Sequence, residues 1–421
     1  MATGFNRFTN ASAGTESSFG TAASLTNPIN LAYEGDGHGF FPEASFSEVQ
    51  RVVGSSEAPE QLDSAYDVRG NVRCPAYALT VSKILEWAFS RSSGETYSRT
   101  LFHQTGLGNA LQVTGVKVDQ IAFSAEKGNP ALIMDLALRG QIDASTTSIA
   151  APTGTNLPDA RVFEFIRGYL ELRNDQTPGG TQTVVDALGF SVQVLNNLTE
   201  NGRKPNIEGN PADPTKWQNI VTGLSAGVST ASGSFRFNPT DETYLTMIRN
   251  LTKGSAYLYF VHRDASAVSL WGAIAAGATT MAATLPASQA INNGDILVFR
   301  AGRGGASLDV VEAVRVSVGS VASSTGAQPV SFTIQGRASN GGFRYAWPAT
   351  STTSFTAARF YTLGLEIVIP GLRVSSGPLR GGPRDIISQE INWVADALAG
   401  AAAIKVGAPR SALDTDGYYD T

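Results

Sequence analysis

Few residues in this chain are of the kinds that do chemistry, and their spacing assembles no active site. The three histidines, His38, His103 and His262, lie outside metal-ligand spacing of one another. An ordinary structural or surface place is expected for each. The single cysteine, Cys74, excludes an intrachain disulfide and has no nucleophile motif around it. It reads as a half-buried strand residue. No HExxH, GxSxG or P-loop pattern occurs. Ala301-Gly302-Arg303-Gly304-Gly305 has the glycines of a phosphate cradle, but no strand-to-helix junction follows, so a hairpin turn is expected. Leu379-Arg380-Gly381-Gly382-Pro383-Arg384 reads as a loop with two basic residues. Asp295 and Glu312 can be imagined as a carboxylate pair, yet they read as solvated turn positions. Trp271 and Trp347 are the tryptophans that would line a sugar site, although most tryptophans are core. Asn197-Leu198-Thr199 and Asn250-Leu251-Thr252 match the glycosylation acceptor pattern. The start, Met1 to Arg7, has no basic region followed by an apolar core, so no secretory signal is expected and these matches read as chance. No catalytic residue, cofactor or metal is expected.

Composition points to architecture instead. Charged residues are 16% of the chain, against roughly 25% in typical soluble domains. Glycine accounts for 44 of 421 residues. Low charge with much Gly, Ser and Thr suits strands, tight turns and large buried interfaces. The net charge of −5 argues against a basic nucleic-acid surface. No apolar run approaches the roughly 20 residues needed to span a bilayer, so no membrane insertion is expected.

The elements are mostly strands. Residues 43–53 and 66–74 read as strands. Residues 78–90 read as a helix, because Val81, Ile84, Leu85 and Ala88 repeat at the helical period. Val116, Val118, Ile121 and Phe123 mark another strand. Leu132, Met134, Leu136 and Leu138 alternate in the next, with Glu126-Lys127-Gly128-Asn129 as a hairpin turn. Residues 140–158 read as a linker, 162–173 and 187–195 as strands, and 198–222 as a long polar loop. Ser229–Phe237 is a strand, Pro239 to Asn250 a helix capped by Thr240 or Asp241, and 255–262 a strand. Short strands at turn-marked intervals fill residues 265–356. Phe360–Ile369 and Ile386–Val394 close the pattern.

The chain nearly repeats itself. Gly70-Asn71-Val72-Arg73 returns as Gly233-Ser234-Phe235-Arg236, and Gly115-Val116-Lys117-Val118 returns as Gly371-Leu372-Arg373-Val374. The second copy's signatures stand 93 residues further apart than the first's (371 − 233 against 115 − 70). An internal repeat with an inserted domain follows. The expected organisation is an N-terminal arm (1–26), a first unit (27–150), a discontinuous second unit (159–264 and 357–406), a small inserted β domain (265–356) and a C-terminal tail (407–421).

Several stretches resemble the tail tube proteins of long-tailed bacteriophages. Glu16-Ser17-Ser18-Phe19-Gly20-Thr21 is similar to the Glu-x-x-aromatic-Gly-Thr opening of that family. Phe190 to Leu198 resembles its strand ending in an Asn-Asn turn. Ser229 to Ile248 resembles its strand leading into a short helix. Gly371–Val374 and Ile386–Val394 resemble its closing strands. The resemblance covers about three quarters of the chain and omits the insert. It implies a mainly β fold of two tandem antiparallel sandwich or barrel units, each with a short helix, plus the inserted β domain.

It also implies a passive structural role in the virion tail, after assembly in the bacterial cytoplasm. The chain is then expected to form trimeric rings with pseudo-six-fold symmetry, or hexamers as the alternative. The rings stack helically into a hollow conduit for DNA ejection. Partners would be copies of itself, a tape measure protein, other tail proteins and double-stranded DNA passing without specific binding. The duplication favours a non-contractile tail. Asp119, Asp135, Glu366 and Glu390 are the candidate acidic residues of the lumen. The N-terminal arm and the 198–222 loop are the candidate contacts between rings, ordered on assembly, and the insert is expected outside the tube. Two other classes fit the composition: a capsid, decoration or adhesin-like virion protein, and a carbohydrate-binding or processing β-sandwich. The first predicts closed shells or capsid binding. The second predicts a carboxylate pair in a cleft.

Overall fold

The computed structural model describes residues 8–12, 15–23, 29–31, 38–49, 60–89, 91–92, 95–104, 110–146, 162–173, 183–185, 187–207, 217–238, 249–262, 267–269, 272–283, 291, 293, 295–300, 311–317, 330–335, 342–347, 359–361, 364–377, 379–380, 388–396, 404–407 and 419–420. The fold is mainly β.

The chain begins with β1 (Phe8–Ala11), β2 (Ile29–Asn30), β3 (His38–Val49), β4 (Glu60–Pro75) and α1 (Ala78–Phe89). It continues with β5 (Arg91–Ser92), β6 (Glu95–Thr96), β7 (Arg99–Gln104), β8 (Ala110–Glu126), β9 (Asn129–Gly140) and β10 (Ile142–Thr146). Next come β11 (Phe163–Arg173), β12 (Thr183–Val185), β13 (Ala187–Leu195), β14 (Thr199–Glu200), β15 (Arg203–Ile207), β16 (Trp217–Val221), β17 (Leu224–Ser225), β18 (Thr230–Phe237) and β19 (Lys253–His262). A separate six-stranded sheet holds β20 (Ala267–Ser269), β21 (Thr280–Ala283), β22 (Ile296–Arg300), β23 (Val311–Val316), β24 (Val330–Gln335) and β25 (Arg359–Tyr361). The chain returns with β26 (Gly364–Ser376), β27 (Leu379–Arg380), β28 (Ser388–Ala395), β29 (Lys405–Gly407) and β30 (Tyr419–Asp420).

The pairings explain the repeated signatures. In the first half the ladder runs β3–β4–β9–β8. In the second it runs β13–β18–β28–β26, in the same order. Phe40 faces Gly70 as Val192 faces Gly233. The flanking strands also correspond. β7 pairs with β8 as β19 pairs with β26, and β1 pairs with β7 as β11 pairs with β19. Two of the four signature glycines have clear physical reasons. A Cβ on Gly233 would lie 2.0 Å from Ser191 O and 2.7 Å from the Trp393 ring, so the strand passes the indole only without a side chain. Gly115 has φ 66, and a Cβ there would meet Gln141 and Phe19.

The two ladders join edge to edge: β8 pairs with β13 from Gln120↔Leu195 to Glu126↔Gly189. The order β9–β8–β13–β18–β28–β26–β19–β11 then closes, because Glu164 of β11 pairs with Ala131 of β9. Phe163 N donates to Ala76 O beside it. Both halves therefore feed one continuous core, from Leu136, Phe123 and Val192 to Phe235, Trp393, Ile367 and Leu258. The helix α1 belongs to it. Val81, Ile84, Leu85 and Ala88 are fully buried, at about 1.5–3 kcal/mol for each large side chain. Trp87 Nε1 donates to Val116 O at 3.0 Å.

Several expectations change. The arm is partly docked on its own chain, since β1 pairs with β7. Residues 142–146, read as linker, pair with β8; their Ser, Thr and Ala content hid an edge strand. The described parts of the 198–222 loop form strands, β14 pairing with β17 (Leu224–Ser225) and β15 with β16; Pro205 within β15 hid the strand pattern. Phe360 belongs to the insert sheet, because β25 pairs with β20 and β22. The 239–250 helix lies almost wholly outside the described residues; Arg249 and Asn250 are helical.

Candidate functional site

Strands put alternate side chains on opposite faces, and cross-strand partners share a face. One rung therefore runs Arg73–Asp135–Ala122–Gln193–Ser232–Val394. The next runs Ile133–Ser124–Ser191–Ser234–Asn392, and a third runs Glu126–Gly189–Arg236–Glu390. This polar face crosses the β8–β13 junction without interruption. Its opposite side holds the core residues Leu136, Ile121, Val194 and Ala231. A shallow cavity of about 260 Å³ opens on the polar side at the junction, lined by Arg73, Glu126, Ser191, Arg236 and Glu390 among others.

The structure brings together two of the four acidic residues picked from the sequence. Asp135 lies on the polar face, 3.8 Å from Arg73. Burial, opposed by the Arg73 charge, raises its pKa. Glu390 lies on the same face opposite Arg236. Asp119 does not join them. It sits at the register shift between Val118 and Gln120, where its Oδ1 accepts from Leu198 N at 2.9 Å. Glu366 is fully buried, facing Tyr259 on the side covered by the insert. The face is therefore not acidic. Arg69, Arg73 and Arg236 stand among Glu126, Asp135 and Glu390, with serines, amides and the apolar Ala122, Ile133 and Val394 between them; Arg139 and Lys117 share the Arg69 rung and pair with Glu200 and Glu95.

The Glu16 motif has a clear local job. Glu16 is 8% exposed. Its carboxylate accepts from Gly20 N (3.0 Å), Ser98 Oγ (2.8 Å), Thr100 Oγ1 (2.9 Å) and Gly115 N (2.9 Å). It pins the arm over β7 and β8. The Asn-Asn turn is equally specific. Asn196 is buried, and its Nδ2 donates to Ala88 O (2.8 Å) and Val118 O (2.9 Å), tying the end of α1 to β8.

The insert is clamped to the second half by a buried ionic cluster that sequence reasoning missed. Glu171 of β11 accepts from Arg173 Nε (2.7 Å), Arg344 Nη1 (3.0 Å) and Tyr259 OH (3.3 Å). Glu312 accepts from Arg344 N (2.6 Å), Trp347 Nε1 (3.0 Å) and Tyr345 N (3.3 Å). Burial lifts the Glu312 pKa against these donors. Burial also opposes the Arg344 charge, but Tyr259 and Glu171 hold its pKa above the ordinary value. The cation stacks on Tyr257 and Tyr345 at 5.2 and 5.5 Å. Arg344 and Glu171, the pair that joins the insert to the second half, lie 173 positions apart, so no local spacing could reveal them.

Asp295 and Glu312 are buried, at 2% and 1% exposure, rather than solvated turn residues. Trp347 is core, and Trp271 lies outside the described residues. Cys74 is fully buried, and its thiol is pushed up to about 12 by burial and then by Asp135. Among the described residues no group of three or more His, Cys, Asp or Glu is placed to hold a metal ion. No family model matches this sequence, and no curated protein matches it.

Proposed function

We propose that this chain is a structural virion protein, without enzymatic activity, that polymerises into stacked rings forming the hollow tail tube of a long-tailed bacteriophage. The observation that carries this reading is the β8–β13 junction. It joins two ladders of identical strand order side by side, as neighbouring units of a ring would be joined. At the two ends of this double ladder, β3 pairs only with β4 and β27 only with β28 among the described residues. β3 corresponds to β13, and β27 to the end of β8, since Leu379 faces Gln389 as Phe123 faces Met134. Joining β27 of one copy to β3 of the next repeats the internal junction. Such a head-to-tail contact closes into a ring or continues as a helix, and it removes both free edges.

On this reading each chain supplies two ring units, so three chains make a pseudo-six-fold ring, with a hexamer as the alternative. The polar face lines the lumen. Acids and bases interleave on this face, which weakens its hold on phosphates, so double-stranded DNA would pass with little of the counterion release that drives adhesion. A tape measure protein would occupy the lumen during assembly, and other tail proteins would cap the ends. Trp87, Trp347 and Trp393 are buried and offer no stacking surface to a carbohydrate.

Blocking one edge tests this. Proline at Leu379 or at Arg380 should disrupt the outward ladder at one of the two positions. The concentration needed for polymer should rise at least about tenfold, since losing roughly 1.4 kcal/mol per contact suffices. The melting temperature should hardly move, because β27 is a two-residue end strand. Unchanged assembly in both variants, measured by sedimentation, would count against the edge junction.

A further inference from the structure

Corresponding surfaces of the two halves are covered differently. The segment between β13 and β18 folds back over the first half. Lys117 Nζ donates to Leu224 O, Arg139 donates to Leu198 O (3.2 Å) and Glu200 Oε1 (2.7 Å), and Gln141 Nε2 donates to Val221 O (2.9 Å). The Lys117 and Arg139 side chains are left only 6% and 16% exposed.

The matching segment of the first half is the far part of the β3–β4 hairpin. From Glu43↔Asp67 to Val49↔Glu60 its strands pair with each other, while β9 takes up β4 only from Val68 onward. The matching ground in the second half is equally plain. Arg373 stands at the Lys117 place in the repeated signature, and Arg373↔Val394 repeats the pair Lys117↔Arg139. Here the ground is open. Arg373 has a 48% exposed side chain, and Val394 and Leu251 are 44% and 74% exposed. Arg373 and Lys253 share Asp396 at 2.9 and 2.6 Å, which leaves a net positive patch. Leu251 has φ 52, a conformation that leucine seldom adopts.

We infer that this patch, formed by Leu251, Lys253, Arg373, Val394 and Asp396, is the seat for the β3–β4 arm of a second copy of the chain. The inference rests on the ring reading, because the edge junction brings the neighbour's arm to the place that the 196–229 segment occupies inside one chain. Charge agrees with it. The arm strands carry Glu48, Glu60, Asp63 and Asp67, with no Lys or Arg in 44–49 or 60–67. The arm would cover Val394 and Leu251 and bring acid to Arg373 and Lys253.

The test mixes two full-length single-cysteine variants, Val394→Cys with Leu62→Cys or Asp63→Cys. Neighbouring arm positions face opposite ways, so one of the two should meet the patch. Cys74 is buried and stays out of the reaction. Mild oxidation of the assembled mixture should give a heterotypic disulfide dimer from one arm variant, and Arg373→Glu should raise the polymerisation threshold at least about tenfold. Polymer that forms at the ordinary threshold with Arg373→Glu, and gives no crosslink, overturns the seat and leaves the tube reading standing. A wild-type chain that stays monomeric at every concentration, and also fails to crosslink, overturns both.

Discussion

Glu171→Ala should destabilise the chain by about 3–5 kcal/mol, the cost of stranding buried cations without their anion. Glu171 and Arg173 are both about 1% exposed in their side chains, and Arg344 is 5% exposed. Both guanidiniums and the Tyr259 hydroxyl converge on this one carboxylate. Removing it leaves two like charges packed against each other under the insert. Glu171→Gln keeps an acceptor and should cost less. A triple replacement by Glu171→Leu, Arg173→Met and Arg344→Met should recover much of the loss, because apolar side chains of similar volume can replace a buried ion cluster. Denaturant unfolding with separate probes for the insert and the barrel would measure this. A loss under about 1 kcal/mol for Glu171→Ala would mean that the cluster behaves like a surface pair and does not hold the insert.

Glu16→Ala should cost about 3 kcal/mol and loosen the arm. Four donors lose one acceptor, and each buried donor left unpaired costs about 1–3 kcal/mol, partly relieved by entering water. The backbone N–H of Gly115 suffers most, because it sits beneath Phe19 and Gln141 at a positive φ. Limited proteolysis near residues 8–23 should become faster in the variant, while β1 still pairs with β7. Glu16→Gln should fall between. If Glu16→Ala melts with the parent and resists protease equally, the motif does not anchor the arm.

What the sequence made legible follows from the range of each signal. Helix α1 declared itself through Val81, Ile84, Leu85 and Ala88, because one face of a short helix is a local pattern. The strand through Leu132, Met134, Leu136 and Leu138 did so through alternation. The repeated glycines mattered for reasons that only packing shows: Gly233 lies against Trp393, and Gly115 against Gln141 and Phe19. Surface assignment was harder. Asp135 and Glu390 lie on the polar face, but Asp119 occupies a bulge where alternation breaks, and Glu366 is hidden by the insert. The insert's grip was invisible, since Arg344 reaches Glu171 across 173 positions. The mixed charge of the face depends on Arg73 and Arg236, whose neighbours are set by register rather than spacing.

The central claim is that copies of this chain join edge to edge into hollow tubes. Electron microscopy of the purified protein at rising concentration tests it most directly. The account predicts hollow tubes with a regular axial repeat, three chains per ring and six similar units in projection. Uniform monomers that never polymerise, even when seeded with tail tips, would contradict it.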